Sequence, residues 1–156
     1  MSATRARSCT YRLVSVTGAQ ETPWWKNQVA TLRVLLVEDE GVIRLVTAEL
    51  LREEGFDVVE AWNGDEAARL LDGTDGFDVL FTDVRMPGKL DGIDLAVHAR
   101  SRYPAIPVLV VSGYAAHLLN RLGVLKPPAV LISKPYLLGE IVATLRRLTM
   151  NPQDSR

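Results

Sequence analysis

Residues 77–88 read FDVLFTDVRMPG. The nearly continuous apolar run over residues 77–82 predicts a short strand, and its lack of alternation indicates that both faces of the strand are buried. The strand ends at Asp83, and residues 86–88, Met-Pro-Gly, then break the chain. Strands of this kind are typical of parallel sheets that are covered by helices on both sides.

Apolar runs of the same kind occur on either side of this segment, and helical patterns separate them. The predicted strands, in chain order, are residues 33–37, 56–61, 77–82, 107–111 and 130–133. The predicted helices are residues 42–54, 63–73, 92–102, 115–122 and 138–148. Five strands alternating with five helices imply parallel pairing through right-handed crossovers. The sequence therefore predicts an open, doubly wound α/β sheet.

The overall composition is that of one globular domain without a strong electrostatic bias. The chain has 156 residues, a formal net charge of −1 and a single cysteine. The net charge gives no basic field of the kind that drives non-specific nucleic-acid binding, and the single cysteine excludes an internal disulfide framework and a cysteine-rich metal site. No apolar run is long enough to span a bilayer. We therefore expect a cytoplasmic protein that binds neither nucleic acid nor membrane.

Three segments are distinguished along the chain. Residues 1–31 are polar and have no sustained apolar period, which predicts a disordered leader, although the adjacent Trp24 and Trp25 could instead dock on the domain or on a partner. Residues 32–150 carry the regular pattern and form the predicted domain, and residues 151–156 form a short tail. Trp62 follows the second strand and is predicted to pack against the domain.

Four of the five predicted strands lead directly into charged or hydroxyl-bearing residues. These residues are Glu38 and Asp39 after the first strand, Asp83 after the third, Ser112 after the fourth and Lys134 after the fifth. Ligands of open α/β sheets bind outside the carboxyl ends of the strands, so we expect these side chains to converge on one site. Their joint placement indicates function more strongly than any single polar residue would.

The clustered carboxylates predict a metal site. Carboxylates that lie together repel each other, and a bound cation is the usual remedy. Oxygen ligands without a nearby His or Cys indicate a hard ion, and Mg²⁺ suits a site that retains waters and contacts a phosphoryl oxygen. We expect Asp39 and Asp83 to bind Mg²⁺ directly and Glu38 to act through water. The backbone carbonyl of Arg85 could complete the protein's share of the ligands.

The same residues are suited to phosphoryl transfer. One carboxylate can act as a nucleophile and form an aspartyl-phosphate. Phosphoryl transfer needs mainly positioning and the neutralisation of charge. Mg²⁺ and Lys134 would supply positive charge, and the Ser112 hydroxyl would donate a hydrogen bond to a phosphoryl oxygen.

Five short motifs resemble the signature of bacterial two-component response-regulator receiver domains. They begin at residues 37, 81, 90, 111 and 133 and read VEDE, FTDVRMP, LDG, VSGY and SKPY. The resemblance covers about residues 33–149 and implies a flavodoxin-like fold with strand order 2-1-3-4-5. It also implies a set of site residues: the phosphoacceptor Asp83, the Mg²⁺ ligands Glu38 and Asp39, the functional positions Ser112 and Lys134, and a proline, Pro135, where a cis peptide bond is usual.

The resemblance further implies a signalling domain that catalyses only its own phosphorylation and dephosphorylation. The donor would be a phosphohistidine on a sensor histidine kinase or a histidine phosphotransferase. Only seven residues follow Thr149, so we expect a receiver without an output domain. Its output would then be contact with a protein partner, competition for phosphate, or self-association as a homodimer.

Two positions depart from the family pattern. Most receivers carry an aromatic switch residue three before the lysine, where this chain has Leu131, so rotation of a Tyr or Phe there cannot be the signalling device. Tyr114 either substitutes for it, as in similar output-less receivers with a Ser/Thr-Gly-Tyr motif, or simply shields the site. The loop at residues 88–90 is one residue longer than the commonest form, which affects the loop geometry and not the chemistry.

Other functions compete with this interpretation. Phosphatases with an aspartate nucleophile usually place an acidic residue two positions later, where this chain has Arg85; Arg85 and Tyr114 would crowd the phosphoryl group and slow its hydrolysis. A flavodoxin-like cofactor binder needs a phosphate-cradling loop after the first strand, where the acidic residues 38–40 would repel a nucleotide. A degenerate receiver, acting as a phosphate-independent interaction domain, would lack part of the acidic, hydroxyl and lysine set, and none of it is missing.

Overall fold

The strands form one parallel sheet. The computed structural model describes residues 31–73 and 76–150, and the strands within them are β1 (Arg33–Val37), β2 (Asp57–Ala61), β3 (Val79–Asp83), β4 (Val108–Ser112) and β5 (Val130–Ser133). They pair in the order β2-β1-β3-β4-β5, and each pair is parallel. The predicted doubly wound, flavodoxin-like α/β fold is therefore confirmed.

The predicted leader and tail lie outside the described residues, apart from Thr31. The same holds for the predicted docking of Trp24 and Trp25. The domain boundaries at residues 32 and 150 therefore stay a prediction. Within residues 31–73 and 76–150, no helix has the length and apolar character needed to cross a membrane.

Helices cover both faces of the sheet. In the described part of the chain they are α1 (Gly41–Glu53), α2 (Gly64–Asp72), α3 (Gly92–Arg102), a 3₁₀ turn (Ala115–His117), α4 (Leu119–Leu122) and α5 (Leu138–Thr149). The core layer that contains Leu35 also contains residues of α2, α3 and α4. The layer that contains Leu36 also contains residues of α1 and α5. Successive strand residues thus enter opposite apolar layers, which explains the continuous apolar runs in the sequence.

Side-chain caps fix where α2 and α3 begin. The side chain of Asn63 accepts a hydrogen bond of 2.8 Å from the amide of Glu66. Asp91 accepts 2.9 Å bonds from the first two amides that follow Gly92 in α3. Such caps satisfy N–H groups that have no partner within the helix. They hold the starts of two helices at the edge of the sheet where β2 and β3 end.

Two surface predictions need correction. The helix predicted over residues 115–122 is a 3₁₀ turn followed by the short α4, because only Leu122 in this range is buried and little packing supports a longer helix. The prediction that Trp62 packs against the domain is wrong, since this side chain is 58% exposed. Trp62 lies in the turn between β2 and α2, where its amide donates to the Glu66 carboxylate at 2.8 Å.

Candidate functional site

The predicted site residues lie together at the carboxyl edge of the sheet. Asp83 is the last residue of β3 and Ser112 is the last residue of β4. Glu38 follows β1 directly and Lys134 follows β5. These four strands are consecutive neighbours in the sheet, so their ends form one continuous edge. The amide of Lys134 donates to the carbonyl of Ser112 at 2.9 Å, which ties the last two of these positions together.

Lys134 contacts two carboxylates of this edge. Its Nζ donates to Glu38 Oε2 at 3.0 Å and also to Asp83 Oδ2. Burial by itself would lower the pKa of Lys134, but the hydrogen bonds to Asp83 and Glu38 outweigh burial and raise the pKa above its ordinary value. The peptide bond between Lys134 and Pro135 is cis, as the resemblance implies. One charged ammonium therefore joins the ends of β1, β3 and β5.

Glu38, Asp39 and Asp83 form an acidic cluster. One carboxylate oxygen from each lies within 4.8 Å of the others, with Glu38 and Asp83 buried and Asp39 exposed. Burial raises the pKa of Glu38 above its ordinary value, and the hydrogen bond from Lys134 opposes this shift. Hard oxygen donors at a site that is open to solvent on the Asp39 side fit a divalent cation that keeps part of its water shell.

The loop after β3 packs closely around Asp83. The amide of Arg85 donates to Asp83 Oδ1 at 3.2 Å, so the backbone of the predicted carbonyl ligand turns back towards the acidic cluster. The amide of Gly92 donates to the carbonyl of Val84 at 3.0 Å. A Cβ at Gly92 would overlap the Asp83 carbonyl, so a residue without a side chain is needed where α3 begins.

The hydroxyl of Ser112 is available to donate a hydrogen bond. Ser112 is 2% exposed, and its Oγ accepts a 3.1 Å bond from the amide of Tyr114. Within residues 31–73 and 76–150, no acceptor takes the hydroxyl hydrogen of Ser112. Because a serine hydroxyl can donate once while it accepts, this hydrogen can point to a ligand at the edge of the sheet.

Arg85 and Tyr114 contact each other beside the site. The guanidinium carbon of Arg85 lies 4.0 Å from the centre of the Tyr114 ring, a cation–π contact. Both residues are exposed. Leu131, by contrast, is partly buried against the core layer of α2 and α3. The position of the usual aromatic switch therefore holds an aliphatic residue packed against the core, and the aromatic ring of Tyr114 lies on the solvent side.

Arg44 is a site residue that the motifs did not predict. Its Nη1 donates to the backbone carbonyl of Glu38 at 2.7 Å. The contact spans six residues and requires a side chain in the first turns of α1 to reach back across the β1–α1 turn. An arginine in an amphipathic helix carries no signal of such a contact, because solvated arginines are common there.

An apolar groove adjoins the acidic cluster. It has a volume of about 670 Å³ and lies between α1 and the turn that leads into α5. Its lining is mainly apolar and includes Val42, Val46, Pro135 and Tyr136, and Lys134 lines it as well. Val42 and Val46 are 72% and 51% exposed. The groove therefore connects an open apolar surface directly with the charged site.

The chain matches a known family over most of its length. A sequence model of the family described as "Response regulator receiver domain" matches residues 34–146. Transcriptional regulatory protein PdtaR of Mycobacterium tuberculosis is 36% identical over 115 residues, which are 72% of this chain and 54% of PdtaR. The chain thus spans about half the length of this curated relative.

Solved structures show the same similarity. A response regulator receiver protein from Sinorhizobium medicae superposes with a TM-score of 0.71 and 28% identity, over 77% of this chain and 95% of that protein. Response regulator TrrA from Thermotoga maritima, in complex with Mg(2+)-BeF, superposes with a TM-score of 0.65 and 27% identity, over 76% and 99% of the two chains. The chain therefore belongs to the receiver-domain family of two-component response regulators.

Proposed function

We propose that Asp83 is the phosphoacceptor of this receiver and that Lys134 and Ser112 bind the transferred phosphoryl group. The observation that carries the proposal is the contact of the Lys134 ammonium with both Asp83 and Glu38. This contact places the positive charge of Lys134 against the nucleophile Asp83, where the negative charge of an incoming phosphoryl group must be neutralised. Residues 32–150 would contain all of this machinery.

Mg²⁺ is the proposed cofactor. Asp39 and Asp83 would bind it directly, Glu38 would act through water, and the backbone carbonyl of Arg85 would complete the protein ligands. Support comes from the oxygen-only donors of the acidic cluster and from the exposure of Asp39, which leaves room for retained waters. The similar receiver TrrA was solved with Mg(2+)-BeF. When bound, Mg²⁺ supplies positive charge that neutralises the phosphoryl oxygens.

Asp83 would act as the nucleophile in an in-line displacement. A carboxylate oxygen of Asp83 attacks phosphorus, and a P–O bond forms while the P–N bond to the donor imidazole breaks. The imidazole nitrogen leaves with the electron pair of that bond and takes up a proton. Lys134 already holds one oxygen of Asp83, so its ammonium shifts onto a phosphoryl oxygen as the transfer proceeds. Ser112 donates its unused hydroxyl hydrogen to another phosphoryl oxygen.

The proposed donor is a sensor histidine kinase or a histidine phosphotransferase. The apolar groove supports this assignment, because exposed aliphatic residues of α1 lead directly to Lys134. A helix of the donor could lay its apolar face in the groove and bring its phosphohistidine to Asp83. The domain would catalyse only its own phosphorylation and dephosphorylation. It would signal in the cytoplasm through protein contacts, including those between two copies.

Phosphorylation by acetyl phosphate with Mg²⁺ tests the proposal. Intact-mass measurement is expected to show the addition of one phosphoryl group to the wild type and none to Asp83→Asn. Asp57→Asn is a matched control, because Asp57 is exposed at the opposite end of the sheet and the variant should be phosphorylated normally. EDTA should abolish the reaction. An unmodified wild type would contradict the proposal and favour a phosphate-independent interaction domain.

A further inference from the structure

We propose that Arg44 is a positioning residue of the metal site, which holds the Glu38–Asp39 peptide and so orients both carboxylates towards the cation. The inference rests on the proposed Mg²⁺ site and adds a residue that no motif assigns. It concerns a single hydrogen bond, the 2.7 Å contact from Arg44 Nη1 to the carbonyl oxygen of Glu38. This carbonyl belongs to the peptide that links two of the proposed metal ligands.

The backbone of Glu38 lies where β1 leaves the sheet. Its amide still donates to the carbonyl of Ala61 in β2 at 3.2 Å, but its carbonyl lies beyond the last strand pair. A backbone carbonyl at such a position needs a donor from elsewhere. Arg44 supplies that donor with a charged guanidinium, and charge-assisted bonds are stronger than neutral ones. The two peptide groups on either side of Glu38 are therefore each held by a hydrogen bond.

The orientation of Asp39 depends on this peptide. Within residues 31–73 and 76–150, no donor bonds to the carboxylate of Asp39. The following residue, Glu40, occupies the N-cap of α1 and makes no side-chain cap bond. The one side-chain bond within the described β1–α1 turn runs from the amide of Glu40 to Glu38 Oε1 at 3.3 Å, and it holds the Glu38 carboxylate rather than the carbonyl that precedes Asp39. The bond from Arg44 to the Glu38 carbonyl is therefore the contact that fixes the peptide leading into Asp39.

A second anchor keeps Arg44 in place. Its Nε lies 3.6 Å from Glu60 Oε2, and Glu60 is in β2, next to Leu36 of β1. Arg52 binds the other oxygen of Glu60 at 2.9 Å. Arg52 does not reach Glu38, because its remaining contacts are with Glu49 and the carbonyl of Val58. The two arginines thus share a helix and an ion-pair partner, but only Arg44 contacts the acidic turn.

The sign of the effect separates positioning from simple electrostatics. A positive charge beside a cation site repels the cation, so removing the charge of Arg44 would by itself strengthen Mg²⁺ binding. Loss of a residue that orients metal ligands weakens metal binding by about 10–100-fold. The two roles therefore predict opposite changes in the dissociation constant for Mg²⁺. Arg44→Lys keeps the charge but cannot span both acceptors as a planar guanidinium does.

The test measures Mg²⁺ binding by isothermal titration calorimetry in the full chain. We expect Arg44→Gln to raise the dissociation constant by about tenfold or more, and Arg44→Lys to raise it as well. Arg52→Gln is the matched control and should leave the constant unchanged. In parallel, acetyl-phosphate labelling at varied Mg²⁺ should show a higher half-saturating Mg²⁺ concentration for Arg44→Gln, with little change in the rate at saturation.

Each outcome decides between these roles. An unchanged or lower dissociation constant in Arg44→Gln overturns the inference, and so does an equal rise in Arg52→Gln, which would assign the effect to the ion-pair network as a whole. Equal losses of urea stability in both variants, without a change in Mg²⁺ affinity, would mean that Arg44 only tethers α1 to β2. A wild type that binds no Mg²⁺ would refute the proposed metal site itself, and the inference with it.

Discussion

Replacing Lys134 with methionine should destabilise the fold even though the residue belongs to the proposed site. The change removes the ammonium from Glu38 and Asp83, which are only 4% and 8% exposed, and leaves two buried carboxylates beside each other. At the 3.0 Å distance from Lys134 Nζ to Glu38 Oε2, one such pair attracts by about 5.5 kcal/mol at an effective dielectric constant of about 20. Breaking a buried pair costs about 3–5 kcal/mol in practice. Lys134 keeps 25% of its side chain exposed, so we expect the lower value, about 3 kcal/mol.

Urea denaturation without divalent cations measures this loss. With a slope of about 1.5 kcal/mol per molar, the midpoint should fall by about 2 M. Lys89→Met is the control, because Lys89 is exposed in the β3–α3 loop and surface changes usually stay within about 0.5 kcal/mol. Saturating Mg²⁺ should reduce the difference in urea midpoint between Lys134→Met and the wild type, since a bound cation again offsets the carboxylate charges. A midpoint for Lys134→Met within error of the wild type would mean that the ammonium does not stabilise the two buried carboxylates.

Two further predictions concern residues around Asp83. Tyr114→Ala should speed the loss of the phosphoryl group from isolated phosphoprotein, since it removes the ring that holds Arg85 beside the site; a decay curve that matches the wild type would contradict shielding. Gly92→Ala should cost about 1–3 kcal/mol in urea denaturation and slow phosphorylation, since its Cβ would overlap the Asp83 carbonyl. Gly139→Ala, with open space at its Cβ, is the control and should be neutral or stabilising.

The strands and the convergence of the site residues were predictable because they depend on local patterns. The central strands β1, β3 and β4 are buried on both faces, so their apolar runs appear nearly without a gap in the sequence. Parallel strands end at one edge of a sheet, so polar residues at the carboxyl ends of β1, β3, β4 and β5 had to lie together. In the structure Lys134 contacts Glu38 and Asp83. Carboxylate oxygens of Glu38, Asp39 and Asp83 lie within 4.8 Å of one another, as this rule requires.

The parts that escaped prediction depend on packing across the fold. Residues 115–122 have helical periodicity, yet only Leu122 is buried there, so periodicity alone could not show that α4 would be short. Trp62 has the size of a core residue but lies in an exposed turn. The bond from Arg44 to the carbonyl of Glu38 involves a backbone acceptor, and no spacing of residue types in a sequence encodes such an acceptor.

Direct mapping of the phosphoryl group identifies which aspartate accepts it. Protein phosphorylated by acetyl phosphate is treated with sodium borohydride, which reduces an aspartyl-phosphate to homoserine, and peptides are then sequenced by tandem mass spectrometry. We expect homoserine at position 83, in the segment that begins at Val79, and at no other aspartate. Homoserine at Asp39, at Asp91 or at several sites alike would contradict the assignment of Asp83 as the phosphoacceptor.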